Sequence, residues 1–168
     1  MNTTRTSPYV VETEGLSKRF GDRLAVDHVD LRIPAGSAFG YLGPNGAGKT
    51  TLIRMLLGLT RATSGSMRLL GHEMPREGAA ALARVGAIVE EPRSHPFLTG
   101  RENLEIVAAA RERAAHGRID GALARVGLAH RADDRVKTYS LGMRQRLGVA
   151  RALLADPGVG RRSPIRSR

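Results

Sequence analysis

An α/β domain is predicted, with an antiparallel β hairpin ahead of a phosphate-binding loop and a helical subdomain after it. Three observations predict this. Residues 10–33 alternate apolar and polar side chains around a Gly21-Asp22 turn, residues 43–50 read GPNGAGKT between an apolar run and a helix-like segment, and residues from Thr99 onward change to helical periodicity. The expected boundaries are a disordered lead at 1–9, a core with the hairpin at 10–98, helices and a helix-opening motif at 99–157, and a basic, disordered tail at 158–168.

In chain order, Val10 to Leu16 and Leu24 to Ile33 are the two hairpin strands, and Pro34-Ala35-Gly36 breaks the second. Ser37 to Leu42 reads as a short buried strand. Gly43, Pro44, Asn45, Gly46, Ala47, Gly48, Lys49 and Thr50 then form the loop, and Leu52, Ile53, Leu56 and Leu57 mark one face of a helix ending near Gly58. Thr60 to Ser66 is turn-rich, Met67 to Leu70 is a further short strand, and Val85 to Val89 is an apolar strand delivering Glu90 and Glu91 at its carboxyl end. Thr99 is an N-cap with Glu102 three residues on, Ile119 to Val126 is a second helix, and a third runs from about Gly142 to Leu154.

Strand, glycine loop and helix is the order of a P-loop NTPase-like site. A triphosphate needs several backbone N–H groups converging on it, and glycines let the chain curl that closely. The first N–H groups of the following helix lack intrahelical partners and face the anion with the positive end of the dipole. Lys49 places a charge near the β- and γ-phosphates, the Thr50 hydroxyl is the expected Mg²⁺ ligand, and Thr51 reaches a phosphate closer to the nucleoside. The competing reading is a glycine-rich turn that happens to carry a lysine, and it does not account for the strand before and the helix after.

Composition narrows the remaining classes. The 168-residue chain has no cysteine, so it offers neither a disulfide framework nor a cysteine metal site, and it fits a reducing compartment. No apolar run approaches the length of a signal peptide core or a membrane span, so membrane association is expected through a partner. The formal net charge is +11, but Arg161, Arg162, Arg166 and Arg168 crowd the extreme C-terminus and the other basic residues are dispersed among acids. With 4% aromatic residues, a solvated basic surface is favoured and no nucleic-acid partner is expected. His28, His72, His95, His116 and His130 have no metal-ligand spacing.

The loop GPNGAGKTT and a second motif, Tyr139-Ser140-Leu141-Gly142-Met143-Arg144-Gln145-Arg146-Leu147, together resemble the ATP-binding subunit of an ABC transporter, the second motif being similar to the family's LSGGQ signature. The resemblance covers residues 10–157, and the YSLGM form is similar to a drug- and bacitracin-exporter subgroup. It implies a head-to-tail dimer with a second ATP-binding domain, in which Ser140 and Gly142 cap the γ-phosphate bound to the partner. It also implies ATP and Mg²⁺ as ligands, ATP hydrolysis coupled to solute efflux, a membrane-spanning transporter subunit as partner, and a cytoplasmic position at the inner face of the membrane.

Phe20 falls where the family stacks an aromatic on adenine; on its own residues it could equally belong to the hairpin core. Glu90 falls at the family's Q-loop position, a catalytic and metal-contacting role, whereas without the resemblance Glu90-Glu91 is a solvated loop pair. The family follows its signature helix with an apolar strand ending in Asp-Glu, the Asp steering Mg²⁺ and the Glu polarising the attacking water, and later with a switch histidine. Here Leu153-Leu154-Ala155-Asp156-Pro157 leads into GVGRRSPIRSR instead, so the expected domain is incomplete before that strand, as after a frameshift or truncation, and not hydrolytically competent alone. A non-hydrolysing nucleotide-binding regulator, or an inactive fragment, is the alternative, and a soluble nucleic-acid-associated ABC protein is the weaker third.

Overall fold

The computed structural model describes residues 7–89, 94–111 and 113–155, which fall into two compact units divided between Leu82 and Ala83. The first unit is built on a hairpin of β1 (Tyr9–Phe20) and β2 (Arg23–Pro34), joined through Gly21 and Asp22 so that Phe20 and Arg23 are paired. Gly21 has φ 54°, the left-handed backbone that a two-residue hairpin turn requires. The helix α1 (Lys49–Leu56) follows the glycine loop, β3 (Ser64–Leu69) pairs antiparallel with the other side of β1, and the two-residue β4 (His72–Glu73) pairs with β3. The sheet order is β2-β1-β3-β4, and a five-residue helix α2 (Gly78–Leu82) closes the unit.

The β1–β2 ladder is irregular, with register shifts on both sides of Leu16. Two buried hydroxyls repair it. Thr13 Oγ1 donates to the Val29 carbonyl at 2.8 Å and accepts from Leu31 N–H at 2.9 Å, while Ser17 Oγ accepts from His28 N–H at 2.9 Å. A bulged strand leaves backbone groups unpaired, and these side chains satisfy them where water does not reach. Leu16, Val26, Leu52, Met55, Met67 and Leu69 form the apolar side of this unit, each worth about 1.5–3 kcal/mol on full burial.

The second unit is helical. Its elements are α3 (Gly100–Ala109), a 3-10 turn at Arg113–Arg118, α4 (Ile119–Arg125), short 3-10 turns at Ala129–Arg131 and Val136–Thr138, and α5 (Leu141–Leu153). Thr99 caps α3 as expected, with both halves of the capping box formed: Glu102 N–H donates to Thr99 Oγ1 and Thr99 N–H donates to the Glu102 carboxylate. Leu104, Leu123, Leu128, Leu147 and Leu154 are wholly buried in one cluster. The stretch before α5 is strapped across the start of α3, with Arg101 N–H donating to Ala132 O and Val136 N–H to Leu98 O.

Two expected strands do not form. Residues 37–42 and 85–89 belong to no ladder, and Phe39, Leu42 and Ile88 are exposed, Leu42 to 92%. A buried parallel strand is held by hydrogen bonds to neighbours on both sides, and among the described residues neither segment has one. All strand pairing in the described residues is antiparallel. No helix among them is long and apolar enough to cross a membrane.

Candidate functional site

Residues 43–47 of the loop are exposed and Gly48 is half-buried, and the loop's conformation is set by two left-handed glycines, Gly46 at φ 85° and Gly48 at φ 81°. Gly48 is the N-cap of α1 and lies hard against β2. A Cβ there would fall 2.0 Å from the Ala25 carbonyl oxygen, so glycine is required both for the dihedral and for the packing. Lys49, the first residue of α1, turns its ammonium back over the loop and donates to the carbonyls of Gly43 at 2.5 Å and Pro44 at 2.6 Å. There is no acidic residue in the first turn of α1, so no carboxylate of that turn competes with an external anion for its N-terminal N–H groups.

One cleft in this unit, of about 350 Å³, is lined by Phe20, Arg23, Ala25, Asn45, Gly46, Gly48, Lys49, Thr50 and Thr51. The sequence-derived residues Phe20, Asn45, Gly46, Gly48, Lys49, Thr50 and Thr51 are therefore brought together, although Phe20 arrives from the hairpin and the rest from the loop and α1. Phe20 is about half exposed, which separates it from the hairpin core, and Lys18 Nζ lies 4.8 Å from its ring centroid. Gly43, Pro44 and Ala47 shape the loop without lining the cleft; Ala47 N–H donates to Pro44 O. Sequence reasoning missed Arg23 and Ala25. For Arg23 a signal existed, since a two-residue turn puts it opposite Phe20 on the same face of the hairpin.

Ser140 and Gly142 lie in the second unit, at the start of α5. Ser140 is the N-cap, its Oγ accepting from Met143 N–H at 3.3 Å, which leaves the hydroxyl hydrogen available to another acceptor. Both residues are exposed, and no atom lies within 4 Å of where a Gly142 Cβ would be. The turn is anchored by Tyr139, which is buried and donates its hydroxyl to Arg131 O at 2.6 Å, and by Arg144, which donates to Tyr139 O at 2.5 Å. Burial, followed by the nearby Asp134, pushes the Tyr139 phenol above its ordinary pKa. Glu90 lies outside the described residues. Among those described, no group of three or more His, Asp or Glu side chains could hold a metal ion.

Residues 26–160 match the family described as ABC transporter, and the chain belongs to that family. It is 45% identical over 148 residues to the uncharacterized ABC transporter ATP-binding protein YdbJ of Bacillus subtilis, covering 88% of this chain and 48% of that protein. It is equally 45% identical over 148 residues to the bacitracin transport ATP-binding protein BcrA of Bacillus licheniformis, with the same coverage of 88% and 48%. Among solved structures it is similar to cbiO1 from Clostridium perfringens, part of the ABC transporter complex cbiONQ, with TM-score 0.78 at 22% identity over 90% of this chain and 63% of that one. That likeness establishes the fold. The chain spans about half the length of the curated relatives it matches.

Proposed function

We propose that this chain is the nucleotide-binding part of the ATP-binding subunit of an ABC-type exporter, taking ATP with Mg²⁺. The observation that carries the reading is the single cleft in which an exposed aromatic from the hairpin, Phe20, meets the glycine loop, Lys49, Thr50 and Thr51. Phe20 offers a flat face for adenine, the loop and first turn of α1 offer N–H groups for the phosphates, and Lys49 offers a formal charge. Among the described residues lining that cleft there is no carboxylate, so none of them repels a polyanion.

Mg²⁺, when bound, neutralises phosphate charge; Thr50 and, by its position, Glu90 are the residues assigned to it. A site with few protein ligands suits an ion that keeps several waters and binds largely through phosphate oxygens. We assign to Ser140 and Gly142 the γ-phosphate held by a second ATP-binding domain in a head-to-tail dimer. The free hydroxyl hydrogen of Ser140 and the open N-terminus of α5 support this. The described residues of the cleft supply cations and N–H groups and no general base, so the role assigned to them is binding and charge stabilisation rather than activation of water. Coupling to efflux through a membrane-spanning subunit follows the same reading. The relation to a bacitracin transport protein favours an antibiotic or similar solute as cargo.

The test is equilibrium binding of ATP to the chain and to Lys49→Ala. Loss of the ammonium is expected to weaken ATP binding by about tenfold or more, as for a charge-assisted phosphate contact. Equal affinity in the two proteins would overturn the proposal.

A further inference from the structure

We infer that Arg23 is a further phosphate-binding residue of this cleft, clamping the nucleotide between the hairpin and the glycine loop. The inference rests on the nucleotide reading above and adds to it a residue outside the loop motif. Arg23 opens β2 directly across the Gly21-Asp22 turn from Phe20, so the hairpin end presents an aromatic face and a guanidinium side by side. The guanidinium crosses to the glycine loop, where Nη2 donates to Gly46 O at 3.4 Å. A bond of that length is at the weak limit and is readily exchanged for a charged acceptor.

Electrostatics favour that exchange. Among the described residues lining the cleft, only Arg23 and Lys49 are charged, and both are cationic. A carbonyl such as Gly46 O is a neutral acceptor, whereas a phosphate oxygen is anionic and accepts both prongs of a guanidinium fork. Arg23 pairs with Phe20, the residue assigned to adenine, and reaches Gly46 of the loop, so its place in this inference is at the phosphates nearer the nucleoside rather than at the terminal phosphate assigned to Lys49. It would therefore serve the phosphates that ATP and ADP share.

The experiment titrates fluorescent analogues of ATP and ADP into the 168-residue chain and its Arg23→Ala, Arg23→Lys and Lys49→Ala variants, at several salt concentrations, with circular dichroism to match folded content. Arg23→Ala is expected to weaken ATP and ADP alike, by about five- to tenfold, with a shallower dependence of affinity on salt. Arg23→Lys should fall between Ala and wild type, because it restores the charge without the fork. Affinity and salt dependence unchanged in Arg23→Ala would overturn the inference while leaving the nucleotide reading intact. Arg23→Lys as weak as Arg23→Ala with an unaltered salt slope would assign the loss to packing and overturn it also. If the unaltered chain and Lys49→Ala bind nothing, both readings fall together.

Discussion

Replacing Gly48 by alanine tests whether the loop geometry, rather than its glycine content, makes the site. The residue sits at φ 81°, and an added Cβ would stand 2.0 Å from the Ala25 carbonyl oxygen, backbone that cannot swing aside as a side chain would. Left-handed alanine costs roughly 1–2 kcal/mol. Relieving the contact requires the loop and the first turn of α1 to retreat from β2 by about 1 Å, for a further 1–2 kcal/mol. The sum is about 2–4 kcal/mol of local stability, accompanied by loss of ATP affinity of about tenfold or more because the converging N–H groups are displaced.

Hydrogen exchange read by mass spectrometry gives the opening free energy of α1 and β2 separately from the helical unit. Gly121→Ala is the internal control: Gly121 lies inside α4 with no atom within 4 Å of its missing Cβ, so alanine there is expected to stabilise α4 by about 0.5–1 kcal/mol. Protection of α1 within 0.5 kcal/mol of wild type in Gly48→Ala, by the resolution usual for such differences, would refute the reasoning.

Two further outcomes concern the helical unit. Asn103 is buried and pins the turn before α3, accepting from His95 N–H at 2.7 Å and donating to the carbonyls of His95 at 3.1 Å and Thr99 at 2.8 Å. Asn103→Ala is expected to cost about 2–4 kcal/mol in urea denaturation, and a cost below about 1 kcal/mol would show that water replaces those bonds. The Tyr139 phenol has a folded pKa above the ordinary 10.0, so the unfolded chain ionises first and stability is lost as pH rises past that value. Melting temperature measured from pH 8 to 11 should fall more steeply for wild type than for Tyr139→Phe; parallel curves would remove the burial argument.

Much of this organisation was legible locally. The Gly21-Asp22 turn and the Thr99 and Glu102 capping box are written in short-range chemistry and formed where their residues specify, and the third helix, expected from about Gly142, begins at Leu141. The helix after Lys49 closed at Leu56, one turn of helix or less from its expected end near Gly58. Residues 37–42 and 85–89 show the limit: alternation and apolar content tell that a segment suits a strand, but hydrogen-bonding neighbours decide whether it becomes one. β3 began at Ser64 rather than Met67 because pairing with Ser17 and Glu14 on β1, not hydrophobicity, extends it. Arg23 was missed since a lone arginine in a strand carries no motif; the turn fixes its place opposite Phe20, but the cleft it borders shows what that place is for.

The irregular pairing beside Leu16 also bears on solubility. β2 is an edge of the sheet, with one row of its backbone groups facing away from β1, and an edge of that kind recruits further strands from other molecules. Here the ladder is kinked at the shifts around Leu16, His28 sits at φ 42°, and Asp27, His28, Asp30 and Arg32 are exposed along the strand. A flat incoming strand would meet a bent template and a row of charges. Crowded conditions should therefore not drive association along this edge.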